Sequence, residues 1–222
     1  MKKIFRLTSS FLAVGLAILM SCENPDLDPN VEFEGAASGF GTFLVNGVAQ
    51  KDPFNPDFGS TLRGGPDALS IKPATFATTP AQAKLFWASF DNKVTVNKIE
   101  LYVQFTEPYI DKDGNPAVAN HGTKLLTTLD AVAAYEDNKF TVDASKVYDL
   151  FKSATFKYDG TTAVPVFSEA RKRTAAAQFI AGDNLVVSWH LVADNGLVYK
   201  SWSPSVCNEN LATNCSITVQ VR

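Results

Sequence analysis

The chain has 222 residues, of which 45% are hydrophobic, and it carries 20 Lys and Arg against 23 Asp and Glu. This length and composition are sufficient for one globular domain with a substantial core. The acidic balance argues against nucleic acid as a partner and against docking on anionic lipid through charge.

The chain begins with a segment typical of a secretory signal peptide. Three basic residues precede the apolar run 11–20, which is too short to span a membrane. The letters LMSC at residues 19–22 resemble the lipobox of bacterial lipoproteins. The resemblance implies that residues 1–21 are removed and that Cys22 carries lipid on its sulfur and an acylated amino terminus. The alternative is an ordinary cleaved signal peptide with an incidental cysteine.

Residues 22–32 indicate an acidic stem. Between Cys22 and Lys51 the chain contains several acids and no Lys or Arg, and two prolines interrupt the acidic part. Such a composition favours an extended, solvated tether. An acidic segment directly after a lipidated cysteine also resembles the export signal by which lipoproteins of the Bacteroidota reach the outer face of the outer membrane. Surface export and a merely solvated linker both stay open.

Alternation of apolar and polar residues predicts strands over most of the remaining chain. It is clearest in 93–106, where a phase change near Asn97 indicates either a bulge or two short strands. Asn-Gly pairs at 46–47 and 195–196 predict two hairpins, because both turn residues tolerate positive φ. The proline in Val164-Pro165 restricts that segment to an edge strand.

One short helix is predicted, with Asp143 as its cap and Phe151 near its end. The regular spacing of strands and turn signals favours an all-β fold, an antiparallel immunoglobulin-like β-sandwich. We place the sandwich at 80–222 and expect 33–79 to add an N-terminal hairpin and loop extension.

Cys207 and Cys215 remain as a pair if lipid consumes Cys22. Secreted chains seldom leave such a pair reduced, so we predict a disulfide that pins the loop before the last strand. The alternatives are two free thiols, or a metal site that would also use His121 and His190. A closed zinc site requires four suitable ligands, which counts against the metal site.

The segment DKDGN suggests calcium. Asp111, Asp113 and Asn115, with Glu107 upstream, offer oxygen atoms around a bend that glycine permits. The following residues supply no carboxylate at the closing position of a calcium loop. The other interpretation is therefore a hairpin loop between two strands.

Catalytic motifs are absent from the sequence. It contains no Gly-x-Ser-x-Gly, we expect His121 in a loop and His190 on a strand, and we expect a non-catalytic protein with no cofactor beyond its lipid. Tyr109, Tyr199 and Trp202 are candidates for a sugar-stacking platform, because the C–H face of a pyranose packs on a flat aromatic ring. The alternative is that these aromatic residues fill the core.

The lipobox, the acidic stem and the closing segment AGDNLVVSWHLVADNG together resemble the small immunoglobulin-like surface lipoproteins of the Bacteroidota that accompany SusC/SusD-type uptake systems. In those proteins a Gly-Asp pair leads into a long strand and an acidic-Gly turn, matched here by Gly182-Asp183 and Asp194-Asn195-Gly196. The resemblance covers the leader, the stem and about the last forty residues. It implies a lipid-anchored accessory subunit of a TonB-dependent nutrient uptake complex, facing the cell exterior, with an outer-membrane barrel as partner. A stand-alone glycan-binding module and a calcium-stabilised adhesin or envelope-structural protein are the alternatives.

Overall fold

The computed structural model describes residues 36–54, 67–89, 92–173, 178–200 and 214–222. Within these ranges most elements are strands. The helices are α1 (Pro73–Phe76) and α2 (Ala144–Phe151), and a 3-10 turn spans Glu169–Arg171. The strands are β1 (Ala37–Val45), β2 (Val48–Ala49), β3 (Asp67–Ile71), β4 (Ala81–Ser89), β5 (Val96–Ile110), β6 (Pro116–Asp130), β7 (Asn138–Val142), β8 (Thr155–Phe156), β9 (Val164–Pro165), β10 (Asn184–Ala193), β11 (Val198–Lys200) and β12 (Ser216–Val221).

Two sheets make up the sandwich. One has the strand order β2-β1-β4-β7, and the other has the order β3-β12-β10-β5-β6, with β11 also paired to β10. Strands β8 and β9 form a separate short ribbon. All the described pairs are antiparallel except β3 with β12. The predicted all-β sandwich is confirmed. Neither helix of the described residues has the length and apolarity needed to cross a membrane.

The core lies between the sheets and is formed by alternate residues of each strand, as the period of two requires. Trp189 of β10 shows how closely the sheets approach each other. A Cβ atom on Gly39 would lie 2.5 Å from Nε1 of Trp189, and one on Gly41 would lie 2.9 Å from the same ring. These two positions of β1 therefore have to be glycine for the indole to fit.

Both predicted Asn-Gly hairpins are confirmed. Asn46 and Gly47 have φ of 53° and 80° and connect β1 to β2. Positive φ at both central residues gives a turn whose twist matches that of the strands. Gly196, with φ of 82°, lies in the turn between β10 and β11, which the Ala193 N–H closes by donating to the Leu197 carbonyl at 2.9 Å.

The predicted bulge and the predicted helix cap are also confirmed. Val96 and Lys98 pair with consecutive residues of β10, which leaves Asn97 as the extra residue of a bulge. The carboxylate of Asp143 accepts hydrogen bonds from the first backbone N–H groups of α2. The apolar side of this helix, including Phe151, packs into the core.

The segment 33–79, predicted as an extension, instead supplies strands to both sheets. The side chain of Asp67 accepts hydrogen bonds from the Thr42 hydroxyl at 2.7 Å and from the backbone N–H of Phe43 at 2.8 Å. The side-chain amide of Asn214 pairs with both backbone groups of Gly41, at 2.8 and 2.7 Å. These side chains satisfy backbone groups of β1 where none of the described strands pairs with it. The boundary at residue 80 is therefore not a structural boundary.

Candidate functional site

Glu107 lies on β5 after the apolar residues of that strand, and its side chain is buried, with 1% exposure. Other charged side chains surround it. Its Oε2 lies 2.5 Å from Nη2 of Arg173 and 3.3 Å from Nη2 of Arg171. Its Oε1 lies 3.1 Å from Nε2 of His121 and also accepts a hydrogen bond from the Tyr158 hydroxyl. Four side chains from three parts of the sequence thus converge on one carboxylate.

Arg173 connects this carboxylate to a second one. Its Nη1 and Nη2 lie 2.6 and 2.7 Å from the two carboxylate oxygens of Asp183, in a bidentate pair, and both side chains are 0% exposed. Nη1 also donates to the Gln178 carbonyl at 2.8 Å, and Asp183 accepts from the Ile180 N–H at 2.9 Å. We call this set the buried charge network: Glu107, His121, Tyr158, Arg171, Arg173 and Asp183.

The network holds two of its groups in fixed protonation states. Burial opposes ionisation of Glu107, but hydrogen bonds from His121, Tyr158 and Arg173 and the charge of Arg173 outweigh it and lower the pKa of Glu107 to about 2. Burial and the bond to Glu107 raise the pKa of Tyr158 well above its ordinary value. Glu107 is therefore ionised at neutral pH and Tyr158 is protonated, and their hydrogen bonds and ion pairs fasten Tyr158, Arg171 and Arg173 to β5.

The outer face of the four-stranded sheet carries a second aromatic cluster, separate from the core. Phe40 of β1 and Phe86 of β4 are cross-strand partners with ring centroids 5.5 Å apart. The rings of Phe54 and Tyr135 adjoin Phe86, with centroids 5.3 and 6.5 Å from it and 6.1 Å from each other. Phe54 is 58% exposed and Tyr135 is 57% exposed. We call these four residues the outer aromatic surface.

Hydrogen bonds fix the loop that presents Tyr135. This residue has a φ of 65°, the left-handed region that few side chains other than glycine adopt. Its N–H donates to the carbonyl of Trp87 at 2.9 Å, and the Trp87 indole donates to the carbonyl of Val132 at 2.8 Å. The side chain of Asn138 accepts from the Val132 N–H at 3.0 Å and donates to the Leu85 carbonyl at 3.1 Å. The surrounding strands therefore hold the strained conformation in place.

Charged groups flank the outer aromatic surface. Lys84 lies two residues before Phe86, on the same face of β4, and its Nζ is 3.0 Å from Asp137. Lys139 is the cross-strand partner of Lys84 and is exposed, as is Glu136 in the loop beside Tyr135. Charged side chains of both signs thus lie near the aromatic rings, and Asp52 is among them, since its carboxylate accepts a hydrogen bond from the Phe54 N–H at 2.9 Å.

The structure does not bring the predicted calcium ligands together. Glu107 faces the core and bonds to the buried charge network. Asp111 Oδ1 accepts from the N–H groups of Asp113 at 2.9 Å and Asn115 at 2.8 Å, which closes the turn between β5 and β6. In the part of the chain that the structure describes, no group of three or more His, Cys, Asp or Glu could hold a metal ion. The segment forms the turn of the β5–β6 hairpin, as the second interpretation expected, and calcium binding by it stays a prediction.

The predicted sugar platform is not a single surface either. Tyr199 of β11 pairs with Leu191, which pairs with Ile99 of β5, whereas Tyr109 lies ten residues farther along β5. At 3.3 Å per residue these two tyrosines are separated by roughly 30 Å, so they cannot contact one sugar ring. Trp202 lies outside the described residues.

The cysteine predictions are not tested by the structure. Cys22 and Cys207 lie outside the described residues, and Cys215 is half-buried just before β12. The lipid on Cys22 and the pairing of Cys207 with Cys215 stay predictions.

Sequence reasoning missed the buried charge network, although one signal for it was present. The alternation of β5 continues from Phe105 to Glu107 and places the carboxylate on the buried face. His121, expected in a loop, lies within β6 where the pairing with β5 is irregular, and its side chain is 0% exposed. Neither arginine has a comparable signal, because both lie outside regular strands.

Comparison with known proteins assigns no family. No protein-family model matches the chain, and no curated protein matches it. The argument for function rests on the residues themselves.

Proposed function

We propose that the protein is a non-catalytic lipoprotein of the outer membrane, displayed on the cell surface as an accessory subunit of a TonB-dependent, SusC/SusD-type nutrient uptake complex. The observation that carries the proposal is the segment LMSC at residues 19–22 with the acidic stem after it. Lipid on Cys22 tethers the chain, and more than one acyl chain is what stable anchoring requires.

The sandwich supports a binding role over a chemical one. Glu107 is buried and ionised at neutral pH, and the half-buried Tyr158 is protonated and donates its hydroxyl hydrogen bond to Glu107. The outer aromatic surface, in contrast, presents two rings that are more than half exposed. Exposed apolar patches on a soluble domain mark interaction sites more often than chance exposure does.

Extraction of outer membranes from the source bacterium in mild detergent tests the proposal. We expect the full-length protein to co-purify with an outer-membrane barrel and to be cleaved when intact cells are treated with protease. Cys22→Ser should move the protein out of the membrane fraction, whereas Ser21→Ala, which keeps a small residue before the cysteine, should not. A protein that purifies alone, or that stays in the membrane after Cys22→Ser, would contradict the proposal.

A stand-alone glycan-binding module is the second candidate. The outer aromatic surface favours it, because an exposed aromatic ring can pack on the C–H face of a sugar as well as on a partner protein. Saccharide binding without any co-purifying barrel would support this candidate over the first.

A further inference from the structure

We propose that one end of the sandwich rests on the surface of the bilayer, with Val132, Tyr135 and Leu197 in contact with lipid. The inference rests on the proposed function for the lipid on Cys22, and it goes beyond that function by assigning the part of the domain that the membrane covers. It also orients the domain, because the opposite end, with the tip of the β5–β6 hairpin, then points away from the bilayer.

The position of β1 shows which end of the sandwich lies next to the anchor. Ala37, the first residue of β1, pairs with Ser89, the last residue of β4. The hydroxyl oxygen of Ser89 accepts a hydrogen bond from the N–H of Val94, which lies just before the start of β5. The chain that follows Cys22 therefore enters the sandwich at the end where β5 begins.

A loop and a turn lie at this same end. The loop 131–137 begins where the Ala131 N–H donates to the Asn97 carbonyl at 2.9 Å, and the turn 194–197 begins where the Asp194 N–H donates to the Thr95 carbonyl at 2.8 Å. Because Thr95 and Asn97 are close neighbours in the chain, the loop and the turn are close in space. We call residues 92–95, the loop 131–137 and the turn 194–197 the stem end.

The reach of the chain after Cys22 favours contact through the stem end. The 15 residues of β5 run from the stem end toward the tip of the hairpin and span roughly 50 Å. Residues 23–36 reach no more than about 50 Å even if they are fully extended. The tip of the hairpin could therefore touch the bilayer only if these residues ran along the whole domain. The stem end has no such requirement.

Apolar side chains are exposed at the stem end, although loops are usually polar. The loop has the sequence AVAAY at residues 131–135, in which Val132 is 40% exposed and Tyr135 is 57% exposed. Leu197, in the neighbouring turn, is 41% exposed. A run of exposed apolar residues is unfavourable in water, so it indicates a surface that an apolar phase covers.

Backbone hydrogen bonds hold these side chains in position before any contact is made. The Trp87 indole donates to the Val132 carbonyl at 2.8 Å, and the Tyr135 N–H donates to the Trp87 carbonyl at 2.9 Å. The Ala193 N–H donates to the Leu197 carbonyl at 2.9 Å. Because the backbone is fixed at both places, contact with lipid loses little conformational entropy.

The size of the apolar surface favours lipid over a protein partner. Its exposed area is on the order of a few hundred Å², whereas a stable protein interface requires about 800 Å² from each partner. A small contact is sufficient at a bilayer, because a lipid anchor already holds the domain there at a high effective concentration.

The charged residues at the stem end limit the contact to the headgroup region. Glu136 directly follows Tyr135, and Asp194 begins the turn that ends at Leu197, so deep insertion would bury carboxylates. Tyrosine rings commonly lie at the level of the headgroups. Lys93 is also exposed at this end, and with charges of both signs present we expect no requirement for anionic lipid.

The test uses the full-length, lipidated protein in vesicles of phosphatidylcholine, which has no net charge, with bromine on the acyl chains as a quencher of tryptophan. Val132→Trp and Leu197→Trp each place a new tryptophan at the stem end. Ile110→Trp and Val118→Trp are matched controls, because both residues are exposed and apolar but lie on the β5–β6 hairpin. The wild type, with its three tryptophans, supplies the background, and circular dichroism verifies that each variant is folded.

We expect the tryptophans at the stem end to lose most of their added fluorescence in brominated vesicles, relative to vesicles without bromine, and the controls to keep theirs. Quenching of the hairpin positions instead would overturn the inference. Quenching at neither end, in protein that floats with the vesicles, would also overturn it and leave a partner protein as the occupant of the stem end.

The same preparations separate the inference from the proposed function. Wild-type protein that does not float with the vesicles would contradict the lipid anchor, and with it both the proposed function and the inference. Loss of the barrel from membrane preparations, in contrast, bears only on the proposed function.

Discussion

The buried charge network and the outer aromatic surface depart from the usual distribution of residues in opposite directions. In the first, the ionised groups of Glu107 and Arg173 lie in the interior, and in the second, two aromatic rings face solvent. In the network, both carboxylates and both guanidinium groups have partners of opposite charge. The two exposed rings, in contrast, contact the ring of Phe86 on one side and solvent on the other. The difference indicates that the network stabilises the fold, whereas the exposed rings contribute less to it.

The two regions also differ in how they depend on the rest of the chain. The network joins residues that are up to 76 positions apart, from Glu107 to Asp183, so its loss releases a long segment. The exposed rings of the aromatic surface can be removed without uncovering a buried charge. Substitutions in the network should therefore cost more folding stability than substitutions of the exposed rings.

Arg173→Met should produce the largest loss of stability. It leaves the carboxylates of Glu107 and Asp183 buried without their main counter-charge, which costs about 3–5 kcal/mol. Urea unfolding of the two proteins measures the difference, and Lys157→Ala, an exposed lysine in the same region, should change it by less than about 0.5 kcal/mol. A loss below about 1 kcal/mol for Arg173→Met would mean that the network does not stabilise the fold.

Acid should remove part of the same stabilisation without any substitution. The folded state holds the pKa of Glu107 near 2, below its ordinary value of 4.5, so the unfolded chain binds the proton more readily. The contribution is therefore complete above about pH 4.5 and is lost as the pH falls toward 2, and it amounts to about 3 kcal/mol. Unfolding free energies measured from pH 7 to pH 2 should show this decrease, and Glu107→Gln should lack that part of it. An equal decrease in both proteins would assign the acid sensitivity to other carboxyl groups.

The fold was predictable because its signals are local. Alternation in β5 and β10, the Asn-Gly turns and the cap at Asp143 each depend on a few neighbouring residues, and each is confirmed. The membership of β1 in the sandwich was not predictable in this way. Its glycines accommodate Trp189, and its backbone groups bond to Asp67 and Asn214, all of which are distant in sequence.

The candidate sites were less predictable, because they depend on how distant segments meet. For the buried charge network, the one indication in the sequence was that the alternation of β5 continues from Phe105 to Glu107 and so predicts a buried carboxylate. No spacing in the sequence connects Glu107 with Arg173. Similarly, Tyr135 follows β6 in a loop, and nothing near it indicates contact with Phe54, some eighty residues earlier. The aromatic residues chosen from the sequence were adjacent to clear strand signals, and that adjacency does not select the rings that share a surface.

Asn138→Ala tests the support of the aromatic surface and should have an intermediate effect. The change leaves the Val132 N–H and the Leu85 carbonyl without a partner, at a cost of about 1–3 kcal/mol. Urea unfolding measures the loss, and hydrogen exchange should show faster exchange of the Tyr135 N–H. Asp137→Ala, next to it but partly exposed, should cost no more than about 1 kcal/mol. Unchanged protection of the Tyr135 N–H in Asn138→Ala would show that the loop is held by other contacts.

Removal of an exposed ring should have the smallest effect on folding. Phe54→Ala removes the ring contacts with Phe86 and Tyr135. We expect the free energy of unfolding to fall by less than about 1 kcal/mol, since the ring is already largely in solvent. Phe43→Ala, the same substitution at a 0% exposed position of β1, should cost about 3–5 kcal/mol. Urea unfolding of both variants measures the contrast. If Phe54→Ala costs as much as Phe43→Ala, the outer aromatic surface is a second core whose exposure is incidental. If it costs little, the stability of the sheet beneath does not depend on the ring of Phe54.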